Sequence, residues 1–265
     1  HCLVGSEMCI RDSVDTCSAE FLSKTPYLYS TFGTSDDDSA SKNKKVVVIG
    51  SGPNRIGQGI EFDYCCVHGV ESLKENNYEA IMINSNPETV STDYDTADKL
   101  YFEPLSWDEV KAVLAREKPD SVIIQLGGQT PLKLADKISS AGYKIAGSSL
   151  DVIDATEDRD LFQKLCLSLN IDQPKSKISF NEDELISAVK EITYPVLLRP
   201  SYVLGGRAMR VVKNDDELKN YLSILATADD DGNPFSSGPL LVDQFLTETI
   251  EIDVDLISDG KDVFI

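Results

Sequence analysis

From residue 45 onward the chain alternates two hydrophobic rhythms: short runs of consecutive apolar residues, and longer stretches in which apolar positions return every three or four residues. Unbroken runs such as Val46-Val-Val-Ile49 and Ala80-Ile-Met-Ile83 suit strands covered on both faces, whereas the slower rhythm suits amphipathic helices. The pattern predicts strands at 46–49, 80–84, 99–102, 121–125 and 144–146, with helices at 60–76, 106–118 and 131–141 between them. Strands alternating with helices imply a mostly parallel sheet with crossover helices. A Ser-x-x-Glu box, Ser106 with Glu109, marks one helix start. Residues 151–171 predict one further helix with Asp158-Arg159 on its polar side. After Pro174 the rhythm changes to strand candidates at 177–180, 196–198, 209–212, 240–242 and 251–257, separated by helices at 182–191, capped by Asn181, and 216–226. This is a second, α+β unit.

In an open parallel sheet, ligands bind beyond the carboxyl ends of the strands. Three turns lie there, each rich in Gly or Asn: residues 50–59, 84–89 and 127–130. The first belongs to Gly50-Ser-Gly-Pro-Asn-Arg-Ile-Gly-Gln-Gly-Ile-Glu-Phe-Asp-Tyr64, whose glycines allow close backbone approach and whose following helix offers free N–H groups to an anion. Its spacing fails the dinucleotide fingerprint, since the third glycine, Gly57, is late and Asn84 stands where a carboxylate is needed. It fails the P-loop as well, because Gln58-Gly59 replaces Lys-Ser/Thr. A turn that merely packs the helix onto the sheet stays open as the plainer alternative.

Composition narrows the partners. Of 265 residues, 41% are apolar, enough for real cores. Forty-five acidic against 25 basic residues give a charge of −20, which repels nucleic acid and anionic membrane, and no apolar run approaches the length of a bilayer span. Any anionic ligand must then be met by local cations. Six cysteines without metal-ligand spacing fit a reducing cytosol, and Cys65-Cys66 read as packing residues. His68 reads as packed or exposed rather than catalytic, and no metal site is legible. Residues 1–13 have no period or cap and are read as a non-native leader outside the fold; 33–45, rich in Ser and Asp and closing in Lys-Asn-Lys-Lys, reads as a solvated linker. With His1 at one end and a strand-like Val263-Phe-Ile265 at the other, the chain reads as part of a longer protein.

Within the second unit, Leu198-Arg-Pro-Ser-Tyr-Val-Leu-Gly-Gly-Arg-Ala-Met209 places Arg199 at a strand end and Arg207 beside the Gly205-Gly206 pair. A flexible glycine pair flanked by planar cations can fold over polyphosphate; a hairpin turn with solvated arginines is the alternative. Glu251, Asp253 and Asp255 alternate on one strand face, where they face either magnesium or ribose, or simply water.

With Gly50–Cys66, the Asn84-Ser-Asn-Pro-Glu-Thr-Val-Ser-Thr-Asp-Tyr-Asp95 run, Gly127-Gly-Gln-Thr-Pro131 and the Arg199–Met209 loop, the chain resembles the large subunit of carbamoyl phosphate synthetase from about Val14 to Ile265. The motifs resemble its carboxyl-terminal synthetase half. The resemblance implies an α/β fold: a preATP-grasp domain with a Rossmann-like parallel sheet at 45–150, then a truncated α+β ATP-grasp domain at 151–265, with 14–44 as the end of a preceding connecting domain plus linker. It implies ATP-dependent phosphorylation of carbamate to carbamoyl phosphate, feeding pyrimidine or arginine synthesis, with magnesium or manganese as the divalent ion and potassium left open. By matching motifs, Arg159 and Arg199 contact phosphates, Gly205 and Gly206 belong to the loop that covers them, and Arg207 flanks that loop, with Arg199 and Arg207 as the catalytic residues. Gln244 and Leu246 line the adenine pocket, and Glu251 holds the ribose. The family's metal ligands lie beyond Ile265, so the isolated chain is expected to be inactive. Implied partners are the bicarbonate-derived carbamate, a glutaminase subunit or domain, the other synthetase half and an oligomer. A biotin carboxylase-like ligase and a non-catalytic nucleotide-binding module remain as alternatives.

Overall fold

The computed structural model describes residues 9–13, 20, 25–32, 38–55, 59–200, 209–227, 233–235 and 238–265. Contacts divide the chain into residues 1–165 and 166–265.

The first unit is built on a seven-stranded sheet in the order β1-β2-β5-β4-β3-β6-β7. Its strands are β1 (Cys9–Ser13), β2 (Tyr27–Phe32), β3 (Lys45–Ile49), β4 (Glu79–Asn84), β5 (Lys99–Phe102), β6 (Ser121–Ile123) and β7 (Ile145–Ala146). All neighbours from β2 to β7 are parallel; only β1 pairs antiparallel. Helices α1 (Glu61–Glu75), α2 (Trp107–Glu117), α3 (Gln129–Leu132) and α4 (Ala135–Ser140) make the crossovers. Every residue of β3 is buried, which is why its apolar run is unbroken rather than alternating. One face packs Val47, Ile49, Ile81 and Ile83 against Val110, Val113 and Leu114 of α2; the other packs Val48 and Met82 against Cys66 and Val70 of α1. Each such fully buried aliphatic side chain contributes roughly 1.5–3 kcal/mol.

The expected helix at 131–141 is two short helices, and the expected helix at 151–171 is α5 (Leu150–Glu157) and α6 (Arg159–Ser168). The second break is at Asp158, whose extended backbone ends α5 and whose carboxylate accepts the Leu161 N–H at 2.9 Å to start α6. Ser106 is the N-cap of α2, but its hydroxyl donates to the Glu109 carboxylate, so the two side chains meet each other and the predicted capping box, which needs both of them on backbone N–H groups, is not formed. Residues 9–13, set outside the fold on sequence grounds, form β1. An open edge such as that of β2 can pair with any extended segment, whatever its side chains.

The second unit carries a four-stranded sheet in the order β10-β9-β11-β8, from β8 (Ser176–Ser179), β9 (Val196–Pro200), β10 (Arg210–Val212) and β11 (Leu240–Gln244). Every pairing in it is antiparallel. Helices α7 (Glu182–Ile192) and α8 (Asp215–Thr227) share its apolar core: Val196, Leu198, Leu240 and Val242 meet Leu185, Val189, Leu218 and Leu222. Both helices start alike. Asn181 accepts the Glu184 N–H at 2.9 Å while Glu184 accepts the Phe180 N–H at 2.8 Å; Asn214 and Glu217 repeat this with the Glu217 and Lys213 N–H groups at 2.9 Å each. The strand expected at 251–257 is not formed: residues 251–256 have no ladder partner among the described residues, and β12 (Ile257–Ser258) pairs with β13 (Val263–Phe264). No helix among the described residues is long and apolar enough to cross a membrane.

Candidate functional site

At the carboxyl edge of the parallel sheet, the loops after β3, β4, β5 and β6 line a crevice of about 450 Å³ that includes Gly52, Arg55, Ser85, Glu103 and Thr130. Its floor is organised by Asn84, the fully buried last residue of β4. The Asn84 carboxamide oxygen accepts N–H groups from Gly52 at 3.0 Å, Ser85 at 2.9 Å and Asn86 at 3.4 Å, and its nitrogen donates to the Ser91 hydroxyl at 3.1 Å. A Cβ on Gly50 would stand 2.6 Å from the Asn84 side chain, so glycine is what lets the two loops meet. Gly127 does the same for the third loop, where a Cβ would lie 2.4 Å from the Ile49 carbonyl oxygen. The three turns predicted to share an edge are therefore joined there.

What they join differs from the expected anion cradle. The Gly52 N–H is taken up by Asn84, and the Asp63 carboxylate in the first turn of α1 accepts the Ser91 N–H at 3.1 Å. Gly57 and Gln58 lie outside the described residues. The side chains left for chemistry are Arg55, exposed and without a hydrogen-bond or ion-pair partner among the described residues, and Glu103, buried and receiving the Ser30 hydroxyl. Of the vicinal cysteines, Cys66 is buried against Val48 and Val70 as expected, and burial pushes its thiol up to about 12, which keeps it protonated; Cys65 is exposed. His68 lies on the surface beside Glu71, at 2.9 Å, and edge-on to Tyr64.

A second set of predicted residues belongs to the four-stranded sheet. Strand alternation puts Val196, Leu198, Leu240 and Val242 against the helices and Arg199 on the opposite, helix-free face. There the Arg199 Nε donates to Asp243 Oδ2 at 2.7 Å, while its terminal nitrogens have no partner among the described residues. Gln244 pairs with Val196 and falls, by alternation, on the helix side; its carboxamide oxygen accepts the Lys175 N–H at 3.3 Å. Leu246 and Glu251 follow β11 outside the sheet and are exposed, as are Asp253 and Asp255. The row of three carboxylates on one strand face is thus not formed. Arg159 begins α6, and its side chain, like Gly205, Gly206 and Arg207, lies outside the described residues. Among the described residues no group of three or more His, Cys, Asp or Glu is placed to hold a metal ion. Sequence reasoning missed Asp243 as the anchor of Arg199 and Asn84 as the organiser of the crevice. The signal was in each case a polar residue ending a run of buried apolar ones.

The helix-crossed parallel sheet followed by a four-stranded antiparallel unit is also the architecture of solved synthetases and carboxylases. The biotin carboxylase domain of 2-oxoglutarate carboxylase from Hydrogenobacter thermophilus matches 78% of this chain and 45% of its own, at 20% identity and a TM-score of 0.53. N5-carboxyaminoimidazole ribonucleotide synthetase from Thermus thermophilus matches 76% of this chain and 47% of its own, at 13% identity and a TM-score of 0.52. These likenesses set the fold class: a helix-crossed parallel sheet followed by an α+β unit. Sequence sets the family. Residues 42–155 match the carbamoyl phosphate synthase preATP-grasp domain, and residues 158–265 match the carbamoyl-phosphate synthase L chain, ATP binding domain. The carbamoyl phosphate synthase large chain of Neisseria meningitidis serogroup B is 52% identical over 252 residues, 95% of this chain. The chain belongs to the carbamoyl phosphate synthase large-chain family and spans 23% of the length of that relative.

Proposed function

We propose that the chain opens the carboxyl-terminal synthetase half of a glutamine-dependent carbamoyl phosphate synthase, the half in which ATP phosphorylates carbamate to give carbamoyl phosphate and ADP. The observation that carries this reading is Arg199: it stands on the sheet face opposite α7 and α8, inside the stretch matching the ATP binding domain, with Nε held by Asp243 and its terminal nitrogens without a partner among the described residues. A guanidinium anchored at one nitrogen presents the remaining donors in a fixed plane, which suits two oxygens of one phosphate. Its charge offsets what builds up on the transferred phosphoryl group, so its part is positioning and electrostatic stabilisation.

The structure of the 2-oxoglutarate carboxylase domain is a complex with MgADP, ADP and bicarbonate. By analogy ATP and a divalent ion serve this chain, with Arg159, Gly205 and Gly206 as further phosphate contacts, Arg207 flanking the reacting group, and Leu246 and Glu251 at adenine and ribose. Gln244 belongs to the adenine end only if it releases the Lys175 N–H. The acidic groups among the described residues do not gather into a set that would hold that ion. Magnesium, its replacement by manganese, and a potassium requirement are each read from activity in metal-exchanged buffer. The proposed domains are 45–150 and 151–265, after a connecting segment at 14–44 and a leader at 1–13 whose residues 9–13 pair with β2 as β1. Proposed partners are carbamate, a glutaminase subunit or domain, the other synthetase half and an oligomer, in the cytoplasm. Similarity to biotin carboxylase is one of fold alone.

In the full-length enzyme, Arg199→Ala is expected to lower ATP formation from ADP and carbamoyl phosphate by about 10²–10³-fold in kcat with the thermal midpoint retained. Unchanged turnover at saturating ADP contradicts the assignment.

A further inference from the structure

Helices α7 and α8 cover one face of the four-stranded sheet, and between them runs a groove of about 530 Å³ that plays no part in the reading above. Its floor and walls are Ile186, Val189, Leu218 and Leu222. Three of these, Val189, Leu218 and Leu222, are almost wholly buried core residues, so the groove reaches down to the core itself. One end is marked by Tyr194, whose hydroxyl donates to Asp215 at 2.8 Å and so brings the end of α7 to the start of α8. Lys190, in the last turn of α7, and Lys219, one turn into α8, both line this end. Neither lysine has a hydrogen-bond or ion-pair partner among the described residues, although the chain as a whole carries a charge of −20. Glu182, at the start of α7, lines the groove eight residues before Lys190 and hence near the opposite end.

We propose that this groove is a binding site for a small amphipathic monoanion, an apolar chain or ring ending in a single carboxylate. The size falls within the range of small-molecule sites, and an apolar lining with a few placed charges is their usual make-up. Polarity along the groove sets the orientation. The carboxylate lies between Lys190 and Lys219, whose two positive charges outnumber the single Asp215 carboxylate that Tyr194 holds at this end, and the apolar body covers Ile186, Val189, Leu218 and Leu222. A second negative charge at the far end of the ligand would meet Glu182. Octanoate should therefore bind, octanol more weakly, and octanedioate more weakly than octanoate.

Titration calorimetry of the chain with these three compounds tests the site independently of any activity. Lys190→Gln with Lys219→Gln is expected to weaken octanoate by about fivefold to tenfold while leaving octanol unchanged, and added salt should weaken octanoate in the wild type only. Ile186→Glu, on a half-buried wall residue, should reduce both compounds. Circular dichroism and the thermal midpoint check that each variant is folded. No octanoate binding at millimolar concentration overturns the proposal, and so does binding that the lysine pair, salt and Ile186→Glu all leave unaltered. Equal affinity for octanoate and octanol overturns the anionic part and with it the site as described.

Discussion

At the scale of single residues, Asn84 decides how the crevice is held. One carboxamide oxygen serves three backbone N–H groups from two loops, and losing it leaves buried donors unsatisfied. Asn84→Ala is expected to cost roughly 2–4 kcal/mol of stability. Asn84→Asp should retain most of it, because a carboxylate still accepts all three and the Ser91 hydroxyl can turn to donate. Urea unfolding midpoints compare the two; an aspartate as damaging as alanine would show that the acceptor is not what matters. The glycines of this region were legible as a turn. Their purpose was not, because composition alone cannot tell a backbone that approaches a ligand from one that approaches a neighbouring loop.

At the scale of elements, the segment entering β3 was expected to be a solvated linker, yet it is fastened to the amino edge of the sheet. Lys45, only 3% exposed, pairs with Glu117 at the end of α2 at 2.9 Å and donates to the Ser41 carbonyl at 2.8 Å. Lys99 of β5 bridges Asp38 at 2.6 Å and Glu117 at 3.2 Å, and the Tyr101 hydroxyl donates to Glu117. Burial pushes the Glu117 carboxyl up, but the hydrogen bonds from Tyr101 and Lys45 and the charges of both lysines outweigh it and hold it below its ordinary value. A lowered folded-state value means stability that is present above the unfolded value of about 4.3 and lost as pH falls through the folded one. Glu117→Gln leaves two lysines without their shared partner and is expected to cost roughly 3–5 kcal/mol at pH 7. Chemical denaturation of both proteins from pH 7 to pH 3 should show the difference shrinking on the acid side; a difference independent of pH contradicts the ion cluster. A sequence that ends a polar segment in Lys-Asn-Lys-Lys gives no sign of which lysine is buried. Alternation beyond β11 misled in the opposite direction, since a strand exists only when a neighbour takes up its N–H and C=O groups, and residues 251–256 have none among the described residues.

Across the whole molecule, a charge of −20 opposes an apolar surface. Ile250, Ile252, Val254 and Leu256 are 59–88% exposed, and Phe264 and Ile265 about 80%. Apolar area of this kind favours association, which like charge restrains. Salt shortens the reach of that repulsion, from roughly 30 Å at 0.01 M to 3 Å at 1 M, without weakening apolar contact. Light scattering by the 265-residue chain should therefore rise with salt, and ending the chain after Thr249 should abolish the rise. Scattering that falls with salt would mean that charge attraction, not apolar contact, drives association.

The sequence by itself determined the strand–helix alternation, the parallel order of the first unit and the α+β character of the second, because backbone hydrogen bonding and burial impose periods of two and 3.6 that side chains must obey. It also carried the motifs that place the chain in its family. Tertiary structure alone decided that Asn84 organises the crevice, that Asp243 holds Arg199 while Gln244 falls on the other side of the sheet, and that Lys45 is a buried ion rather than a linker charge. Those outcomes depend on partners 32 to 72 positions away in the chain, and periodicity has no reach over such distances.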